Sequence, residues 1–289
     1  MSQVSFPRAR LLAAAFLFST GGLAIKACSL TSWQVATFRC AVSFAFLLIF
    51  LKEARRFPPW RMIVVGFIYA AMVNSYVMAN KWTTATNAVF LQTTAPLYIL
   101  LFSPLILGER GRWRDVPVMV ALALGLGLLF VGEQSPTSTA TNPFLGNIVG
   151  AFSGFFWAAV ILGLRYLGRG QQESALPAVV VGNAIASLTA LPFAFPVASF
   201  STADVLLVIY LGAFQIGLAY VLLTGAMAHV PALDASLLLL VEPVFSPVWT
   251  YVVLGETPGP WAVAGAGIIL AAIILKSIIE WRDEQRRST

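Results

Sequence analysis

Charge is the scarcest feature of this sequence. Only 10% of its 289 residues are Asp, Glu, Lys or Arg, whereas soluble domains contain about 25%. Hydrophobic residues make up 59% of the chain, against about 45–50% in a soluble domain. A water-facing surface of this size could not be built from so few charges. The composition therefore excludes a soluble globular protein and indicates a polytopic membrane protein.

Cysteine and histidine are almost absent. Cys28 and Cys40 are too few for a disulfide framework, and we expect no structural disulfide between them. His229 is the single histidine, so there is no Cys/His cluster from which to predict a metal site, and no cofactor is expected. The net charge of +6 does not indicate nucleic acid, because the basic residues lie in short gaps between apolar runs.

Long apolar runs fill nearly the whole chain. A helix crosses a bilayer with about 20 residues, and unpaired backbone groups are not tolerated in lipid, so each run is predicted to be a transmembrane helix. The ten predicted spans, numbered from the N-terminus, are 9–28, 33–52, 61–80, 84–107, 113–132, 144–166, 175–197, 203–226, 232–254 and 260–281. Span one resembles a signal peptide, but we expect it to remain uncleaved because nine further spans follow.

Lysine and arginine predict the orientation. When the gaps between spans are numbered alternately, one set holds all 18 of these residues except Lys26, Arg39 and Lys81. Lys26 and Arg39 fall inside spans, and Lys81 alone belongs to the other set. Cytoplasmic loops are rich in Lys and Arg. We therefore expect a multi-pass protein of the bacterial inner (plasma) membrane with both termini in the cytoplasm.

The two halves of the chain are related to each other. Span four contains NAVFLQTTAPLYILLFSPLILGE (87–109), and span nine contains DASLLLLVEPVFSPVWTYVVLGE (234–256). At one constant offset, Pro96 aligns with Pro243 and both segments end in Gly-Glu. Because each half holds five spans, an odd number, the second half must cross in the opposite sense. Inverted repeats with interrupted helices at matching positions are typical of secondary transporters, whose substrate sites lie near the midplane.

These motifs resemble those of a known family. The two Pro-x11-Gly-Glu segments, the Glu242-Pro243 pair, Lys26 closing span one and Arg39 early in span two are together similar to the drug/metabolite transporter superfamily, in its ten-span EamA branch. The resemblance covers nearly the whole chain. One departure is that the acid has no counterpart in span four, where Ala95 takes the matching position.

The resemblance implies an architecture and a function. The expected fold is an all-α polytopic membrane protein, with ten transmembrane helices arranged as two inverted five-helix repeats, 9–132 and 144–281, around a central cavity. Spans one, three, four, six, eight and nine are expected to line that cavity, and spans five and ten to be peripheral. Members of the family mostly export amino acids, other small metabolites or drug-like compounds.

Glu242 is the strongest candidate for the functional site. It falls about halfway through span nine, where an acid costs roughly 2.5–3.5 kcal/mol and is expected to face the bundle interior. Ser246 and Thr250 follow at one-turn intervals on the same helix face. Two roles remain open for Glu242. It is either a proton-coupling or substrate-ammonium group, or a neutral acid that hydrogen-bonds disturbed backbone and braces the bundle.

Prolines mark the expected hinges. Pro243 and Pro247 each lack a backbone N–H and disturb the carbonyl four residues earlier, which leaves carbonyls available to substrate, water or a neighbouring side chain. Pro96 occupies the matching place in span four. Spans four and nine are therefore the predicted moving elements.

Other polar and aromatic residues lie midway along the predicted cavity spans. Each is either a ligand contact or an interhelical hydrogen-bonding group, and about half of the set is expected to face the cavity. Aromatic rings with neutral polar groups suit a zwitterionic or amphipathic solute, whereas a phosphorylated solute would require several buried Arg or Lys. The candidates besides Glu242 and Ser246 are Ser19, Thr20, Tyr69, Tyr76, Asn80, Gln92, Thr94, Tyr98, Trp157, Gln215 and Tyr220.

Two basic residues inside spans and a row of glycines are the remaining candidates for a gating or structural role. Lys26 either snorkels to the interface or acts as a gate or carboxylate contact. Arg39 lies too deep to snorkel, and we expect a structural brace that hydrogen-bonds backbone carbonyls or a polar neighbour. Gly146, Gly150 and Gly154 form a small-residue face on span six, which indicates close helix packing, with a homodimer contact as the alternative.

The sequence as a whole predicts a secondary transporter. It would move small organic metabolites, amino-acid-like or drug-like, across the inner membrane by alternating access, as an exporter, with proton coupling left open. No nucleotide-binding motif is present, so direct ATP drive by this chain is excluded. An uptake carrier of the same fold is the alternative. An intramembrane enzyme is disfavoured, because Glu242 has no second midspan acid and His229 lies at a span end.

Overall fold

The computed structural model describes residues 5–109, 115–128, 140–169, 174–197 and 199–255, together with 259–261, 263–265, 267–268, 271–272 and 275. The α-helices of the described part are Ser5–Ser19 (α1), Gly21–Ala27 (α2), Ser32–Phe50 (α3), Trp60–Trp82 (α4), Ala85–Gln92 (α5), Ala95–Ile106 (α6), Val116–Leu128 (α7), Pro143–Gly168 (α8), Leu176–Ala190 (α9), Thr202–Tyr210 (α10), Ala219–Met227 (α11), Ala232–Leu238 (α12) and Glu242–Leu254 (α13). Short 3-10 turns occupy Lys52–Arg55, Leu191–Phe193 and Leu239–Val241, and a π-helix occupies Leu211–Leu218.

Eight helical segments of the described chain are long and apolar enough to cross a membrane. They correspond to predicted spans one to four and six to nine, with bounds that differ by a few residues: Phe6–Ala27, Ser32–Phe50, Trp60–Trp82, Ala85–Ile106, Pro143–Gly168, Leu176–Phe193, Thr202–Met227 and Ala232–Leu254. The predicted all-helical membrane architecture is therefore confirmed. Helix α7 is a shorter apolar helix at the place of span five, and most of predicted span ten lies outside the described residues.

Polar residues in the loops cap the N-termini of several helices. Thr31 Oγ1 accepts a hydrogen bond of 3.3 Å from the Gln34 N–H, and Gln34 Oε1 accepts one of 3.0 Å from the Thr31 N–H. Ser201 and Asp204 form the same reciprocal capping box at α10, and Thr84 Oγ1 accepts from Asn87 N–H at α5. These side chains satisfy first-turn N–H groups that have no intrahelical partner.

Spans four and nine are interrupted at matching positions of the repeat. Helix α5 ends at Gln92 and α6 begins at Ala95, while α12 and α13 are separated by the 3-10 turn Leu239–Val241. In both spans the new helix carries proline at its second residue, Pro96 or Pro243, where a missing N–H costs no intrahelical hydrogen bond. The interruptions predicted from these prolines are confirmed. Pro247, by contrast, lies inside α13 and does not end the helix.

The matched Gly-Glu ends share one backbone conformation. Gly108 has φ +68° and Gly255 has φ +64°, both in the left-handed region that glycine adopts without a Cβ clash. Glu109 accepts a hydrogen bond from the backbone N–H of Ala232 at the start of span nine, whereas Gly255 lies at the far end of that span. The two Gly-Glu ends therefore lie at opposite ends of the bundle, as an inverted repeat requires. Glu256 itself lies outside the described residues.

The two halves of the chain interlock. Helix α4 packs along α8 and α9, α3 packs on α9 and the π-helix, α1 packs on α11 and α13, and α5 packs on α8 and α13. Each of these partners comes from the other half of the sequence. Helices α3, α4, α8 and α13 bury polar side chains, while large apolar side chains such as Phe57, Leu105 and Val252 are exposed. This distribution suits a bundle surrounded by lipid.

Gly154 allows α8 to pack against the break in span four. A Cβ at Gly154 would collide with Thr94 Oγ1 and would lie 2.6 Å from the backbone oxygen of Leu91. Gly154→Ala should therefore destabilise the protein by about 1–3 kcal/mol, because the break cannot move aside without disturbing the start of α6. Thermal unfolding of the detergent-solubilised protein should show a midpoint lowered by several degrees.

Gly127→Ala is the matched control for Gly154→Ala. Gly127 is also helical, but a Cβ there meets nothing within 4 Å. Its replacement should leave the unfolding midpoint unchanged or slightly raised, because alanine is the better helix former. Equal midpoints for the two variants would contradict the packing role of Gly154.

Candidate functional site

A cavity lies among spans one, two, three, four, six, eight and nine. We call it the central cavity. Its lining residues are Phe18, Arg39, Met72, Val73, Tyr76, Gln92, Trp157, Gln215, Ile216, Tyr220 and Glu242. The lining uses all six spans that the family resemblance places at a cavity and adds span two, through Arg39.

A second, smaller cavity adjoins the central one at the breaks of spans four and nine. Pro96 and Pro243 belong to its wall. Gln92, Trp157 and Glu242 line both cavities. These three side chains therefore form the partition between the central cavity and the interrupted backbone.

Glu242 lies at the first residue of α13, directly after the break in span nine. It is buried, and its Oε1 accepts one long hydrogen bond, 3.5 Å, from the Tyr76 hydroxyl. The position at a helix N-terminus favours a negative charge through the helix dipole. A carboxyl group held this loosely at a cavity wall can accept a proton or bind a cationic group.

The rings of Phe18, Trp157 and Tyr220 form an aromatic wall on one side of the central cavity, and a fourth ring, Tyr69, packs behind Tyr220. Phe18 packs edge-on against Tyr220 at 5.2 Å and against Trp157 at 5.9 Å, and Trp157 meets Tyr220 at 6.1 Å between ring centroids. Tyr69 lies edge-on against Tyr220 at 5.0 Å, and its hydroxyl donates to Asn183 Oδ1. Edge-to-face contacts of this kind fix ring orientations. The wall is therefore a rigid apolar surface with polar tips.

Two amides occupy the cavity in different ways. Gln92 Nε2 donates a hydrogen bond of 2.9 Å to Ser153 Oγ, which fixes its orientation. Gln215, in the π-helix, packs its amide where a Cβ on Gly21 would stand, with Nε2 only 2.6 Å from that point. Gly21 is therefore required for this close approach. The Gln215 Oε1 atom is buried and has no hydrogen-bond partner in the described part of the protein.

Arg39 reaches the central cavity from span two. It is 2% exposed, and its Nη2 donates one hydrogen bond of 3.3 Å to the backbone oxygen of Val73. The expected backbone contact is thus present. The Nε and Nη1 atoms, however, have no hydrogen-bond partner among the residues that the structure describes.

Several of the predicted site residues lie outside the central cavity lining, and two of them form hydrogen bonds to other helices or to their own backbone. Ser19 Oγ donates to Phe16 O and accepts from Trp249 Nε1, at 2.6 and 3.1 Å. Thr20 Oγ1 donates to Leu17 O and shares a hydrogen bond of 2.7 Å with the Tyr210 hydroxyl. The other predicted residues absent from the central cavity lining are Tyr69, Asn80, Thr94, Tyr98 and Ser246.

These remaining residues are interhelical or backbone contacts. Tyr69 forms a layer behind Tyr220, Thr94 Oγ1 donates to Leu91 O at 2.8 Å, and Tyr98 packs edge-on against Phe155. Asn80 and Ser246 converge on Gly22, whose missing Cβ would lie 3.1 and 3.3 Å from their side-chain oxygens. Helical periodicity correctly indicates that such residues face inward, but not which neighbour each one meets.

The apolar part of the lining was not predicted. Phe18, Met72, Val73 and Ile216 line the central cavity, and in the sequence they look like any other residue of a lipid-soluble helix. Helical spacing offers one signal, because Met72 lies one turn before Tyr76 and therefore shares its face.

A cluster of charged and polar contacts links helices at each end of the bundle. The Glu109 cluster consists of Glu109, Arg165 and Arg169 with the backbone that they bind. Glu109 Oε1 lies 2.8 Å from Arg165 Nε, and Glu109 Oε2 accepts from Ala232 N–H at 3.0 Å. Arg165 also donates to the backbone oxygens of Met227 and Ala228, and Arg169 donates to that of Leu107. The cluster thus ties together the ends of spans four, six and eight and the start of span nine.

The Asp204 cluster lies at the opposite end and consists of Asp204, Ser29, Ser201 and Cys28. Asp204 accepts hydrogen bonds from Ser29 N–H at 2.7 Å, Ser29 Oγ at 2.8 Å and Ser201 Oγ at 2.5 Å. These contacts fix the loop after span one to the start of span eight.

The two lysines of the same end bind backbone. Lys26 Nζ donates to the backbone oxygen of Thr83 at 2.9 Å, and Lys81 Nζ donates to that of Cys28 at 2.6 Å. Lys26 therefore links span one to the end of span three. Among the described residues, no group of three or more His, Cys, Asp or Glu side chains is placed to hold a metal ion.

Comparison with known proteins assigns a family to this architecture. The model of the EamA-like transporter family matches residues 9–131 and again residues 144–278. The pseudopaline exporter CntI of Pseudomonas aeruginosa (strain UCBPP-PA14) is 25% identical over 273 residues, which covers 91% of this chain and 93% of that protein. The probable terminal-alkyne amino-acid exporter of Streptantibioticus cattleyicolor is 25% identical over 263 residues, covering 88% and 84%. One solved crystal structure matches the fold with a TM-score of 0.70 at 20% identity, over 98% of this chain and 100% of that chain.

Proposed function

We propose a function on the premise that this chain belongs to the EamA-like transporter family. It is a multi-pass membrane protein and a secondary transporter of small metabolites. Our proposal is that it exports an amphipathic, amino-acid-like solute across a bacterial inner membrane by alternating access. Glu242 would bind the cationic group of the solute and exchange it for a proton.

The observation that carries this proposal is the environment of Glu242. Its carboxyl group is buried between two cavities, and within the described part of the chain it accepts a single hydrogen bond, 3.5 Å long, from Tyr76. A group that only braced the bundle would be expected to have short, multiple hydrogen bonds, because an incompletely paired acid at membrane depth is costly. Other titratable and charged groups at the same cavity are Tyr76, Tyr220 and Arg39.

Two further observations support the solute class and the direction. The central cavity combines an aromatic wall with amide groups and one side chain of each charge sign, which suits a small amphipathic solute. Two relatives are named as exporters, and one of those names specifies an amino acid.

Alternating access requires hinges and two gates. We infer that the breaks of spans four and nine act as hinges between halves 9–132 and 144–281, because interrupted backbone at matching positions can bend without loss of helical hydrogen bonds. The Glu109 cluster and the Asp204 cluster would be the two gates. The Glu109 end is assigned to the cytoplasm, because Arg165 and Arg169 lie there, in the lysine- and arginine-rich set of loops.

Counterflow in proteoliposomes tests the function. Vesicles preloaded with unlabelled amino acids, nucleosides or cationic amines are diluted into the same labelled solute, with and without a pH gradient. We expect at least one amino-acid-like solute to accumulate above the level of protein-free vesicles, because a carrier exchanges a saturating internal solute for an external one. If no amino-acid-like solute accumulates, the proposed solute class is wrong, and if no solute of any kind accumulates, the proposed function is wrong.

A cell assay separates export from uptake. Cells that overproduce an exporter should contain less of the solute identified by counterflow than cells carrying an empty vector, whereas an uptake carrier should raise its internal level. The Glu242→Gln variant provides the matched control, because it has almost the same size and fold requirements but lacks the carboxyl group.

A further inference from the structure

Arg39 is the second charged group at the central cavity, and most of its hydrogen-bonding capacity is unused. A guanidinium group has five N–H donors. Here Nη2 donates a hydrogen bond of 3.3 Å to Val73 O, while Nε and Nη1 have no hydrogen-bond partner within the described residues. The side chain is 2% exposed, so bulk water does not satisfy these donors.

An arginine with this placement is costly unless something else pairs with it. Charged side chains within a membrane span are expensive, and buried charges are normally paired or fully hydrogen-bonded. No carboxylate of the described chain forms an ion pair with Arg39 in this structure. The unused donors therefore indicate a partner that is supplied from outside the chain and enters the central cavity.

The chemistry of the missing partner follows from the guanidinium. Its planar fork of N–H donors matches the two oxygens of a carboxylate in a bidentate geometry. A phosphate would also fit the fork, but it carries more negative charge than one arginine neutralises, and Glu242 lines the same cavity. A single carboxylate is the better match for the charges present.

We propose that Arg39 binds the carboxylate of the transported solute, while Glu242 and the unpartnered Gln215 Oε1 bind its ammonium group. The inference rests on the proposed function and narrows its substrate class to zwitterions with an apolar side chain. Arg39 and Glu242 reach the cavity from spans two and nine, which belong to different halves of the chain. A zwitterion bound between them would bridge the two halves, and the aromatic wall of Phe18, Trp157 and Tyr220 would receive its side chain.

Three matched compounds test this assignment on the purified full chain in nanodiscs. Phenylalanine carries both charges, 2-phenylethylamine lacks the carboxylate, and 3-phenylpropanoate lacks the amine. The wild-type protein should bind phenylalanine most tightly. Arg39→Gln should weaken binding of phenylalanine and of 3-phenylpropanoate by at least about tenfold, since each loses hydrogen bonds to a charged group, and should leave 2-phenylethylamine nearly unchanged. Glu242→Gln should show the converse selectivity.

Two further measurements keep the test decisive if Arg39→Gln fails to fold. Arg39→Lys retains the charge but not the fork, so it should recover part of the phenylalanine affinity. Phenylalanine methyl ester removes the carboxylate charge without any mutation, and the wild-type protein should bind it at least about tenfold more weakly than phenylalanine. Arg61→Gln, which removes an exposed arginine at a span end, should change none of these affinities.

The outcomes distinguish this inference from the proposed function. If the wild-type protein binds the methyl ester or 2-phenylethylamine as tightly as phenylalanine, or if Arg39→Gln weakens all three compounds equally, the assignment of Arg39 is wrong. The same holds if the wild-type protein binds none of the three. In each of these cases counterflow of amines or nucleosides would still support a transporter, whereas absence of counterflow for every solute would overturn the proposed function itself.

Discussion

Glu242→Gln is expected to abolish transport driven by a pH gradient and to preserve solute counterflow. Glutamine is nearly isosteric with glutamate, and its side-chain oxygen can still accept the hydrogen bond from Tyr76. It cannot release or take up a proton. A carrier that exchanges solute for proton at this residue should therefore lose its response to the gradient, while exchange of solute for solute needs no proton and continues at a reduced affinity.

Accumulation of the labelled solute in proteoliposomes, measured across a range of imposed pH gradients, checks this expectation. The variant should give the same accumulation at every gradient, at the level of protein-free vesicles, whereas the wild-type protein should respond steeply. Tyr76→Phe is the matched control, because it removes the 3.5 Å hydrogen bond and keeps the carboxyl group, so coupling should persist. If Glu242→Gln retains gradient-driven transport, the bracing role of a neutral acid is the correct one.

Much of the fold could be predicted because the bilayer imposes strict local rules. Each helix must be long and apolar, which is why spans such as Ala232–Leu254 are visible in the sequence. Proline has no backbone N–H to donate within a helix, so Pro96 and Pro243 locate the two matched breaks within a residue or two. An acid at midspan must face the interior, and Glu242 does. These rules act on single residues or single helices.

Features that depend on contacts between helices could not be predicted in the same way. The break of span one at Thr20 and the π-helix of span eight contain no proline, and they meet where Gly21 admits the amide of Gln215. Neither residue alone indicates this contact. Arg39 illustrates the same limit, since its depth predicts an inward-facing, hydrogen-bonded group, but only the arrangement of spans two, three and eight places it at the cavity.

The sequence predicted which kinds of residue line the candidate site better than it predicted which individual residues do so. Tyr76, Gln92, Trp157, Gln215, Tyr220 and Glu242 line the central cavity, and they are the polar or aromatic residues of the spans that the family resemblance indicated. Ser19 and Thr20 were indistinguishable from them by position, but their hydroxyl groups satisfy backbone carbonyls in the preceding turn. Short hydroxyl side chains commonly bond to their own helix, whereas long amide and aromatic side chains reach across to the cavity.

Glu109→Gln is expected to open the Glu109 end of the bundle. The carboxylate binds Arg165 at 2.8 Å and the N–H of Ala232 at 3.0 Å, so the closed end relies on hydrogen bonds to a charged group. Such bonds contribute about 1.5–3 kcal/mol each, and about 1.4 kcal/mol corresponds to a tenfold change in an equilibrium constant. Glutamine retains one acceptor but removes the charge. The population that is open at this end should therefore rise by about tenfold or more.

Labelling of a cavity cysteine measures this shift. In a background with Cys28→Ser and Cys40→Ala, a cysteine at Ile216 of the central cavity should react with a membrane-impermeant maleimide added from the Glu109 side. The reaction should be about tenfold faster or more in Glu109→Gln, and no faster from the opposite side, because only one gate has lost contacts. Glu53→Gln, which neutralises an exposed acid at the same end, should leave both rates unchanged. Equal labelling rates in Glu109→Gln and Glu53→Gln would mean that the Glu109 cluster fixes loops without acting as a gate. Transport gives a second readout, because an alternating-access carrier must close this end before the other end can open. Glu109→Gln should therefore transport more slowly than the wild-type protein if the cluster is a gate, and at the normal rate if it is not.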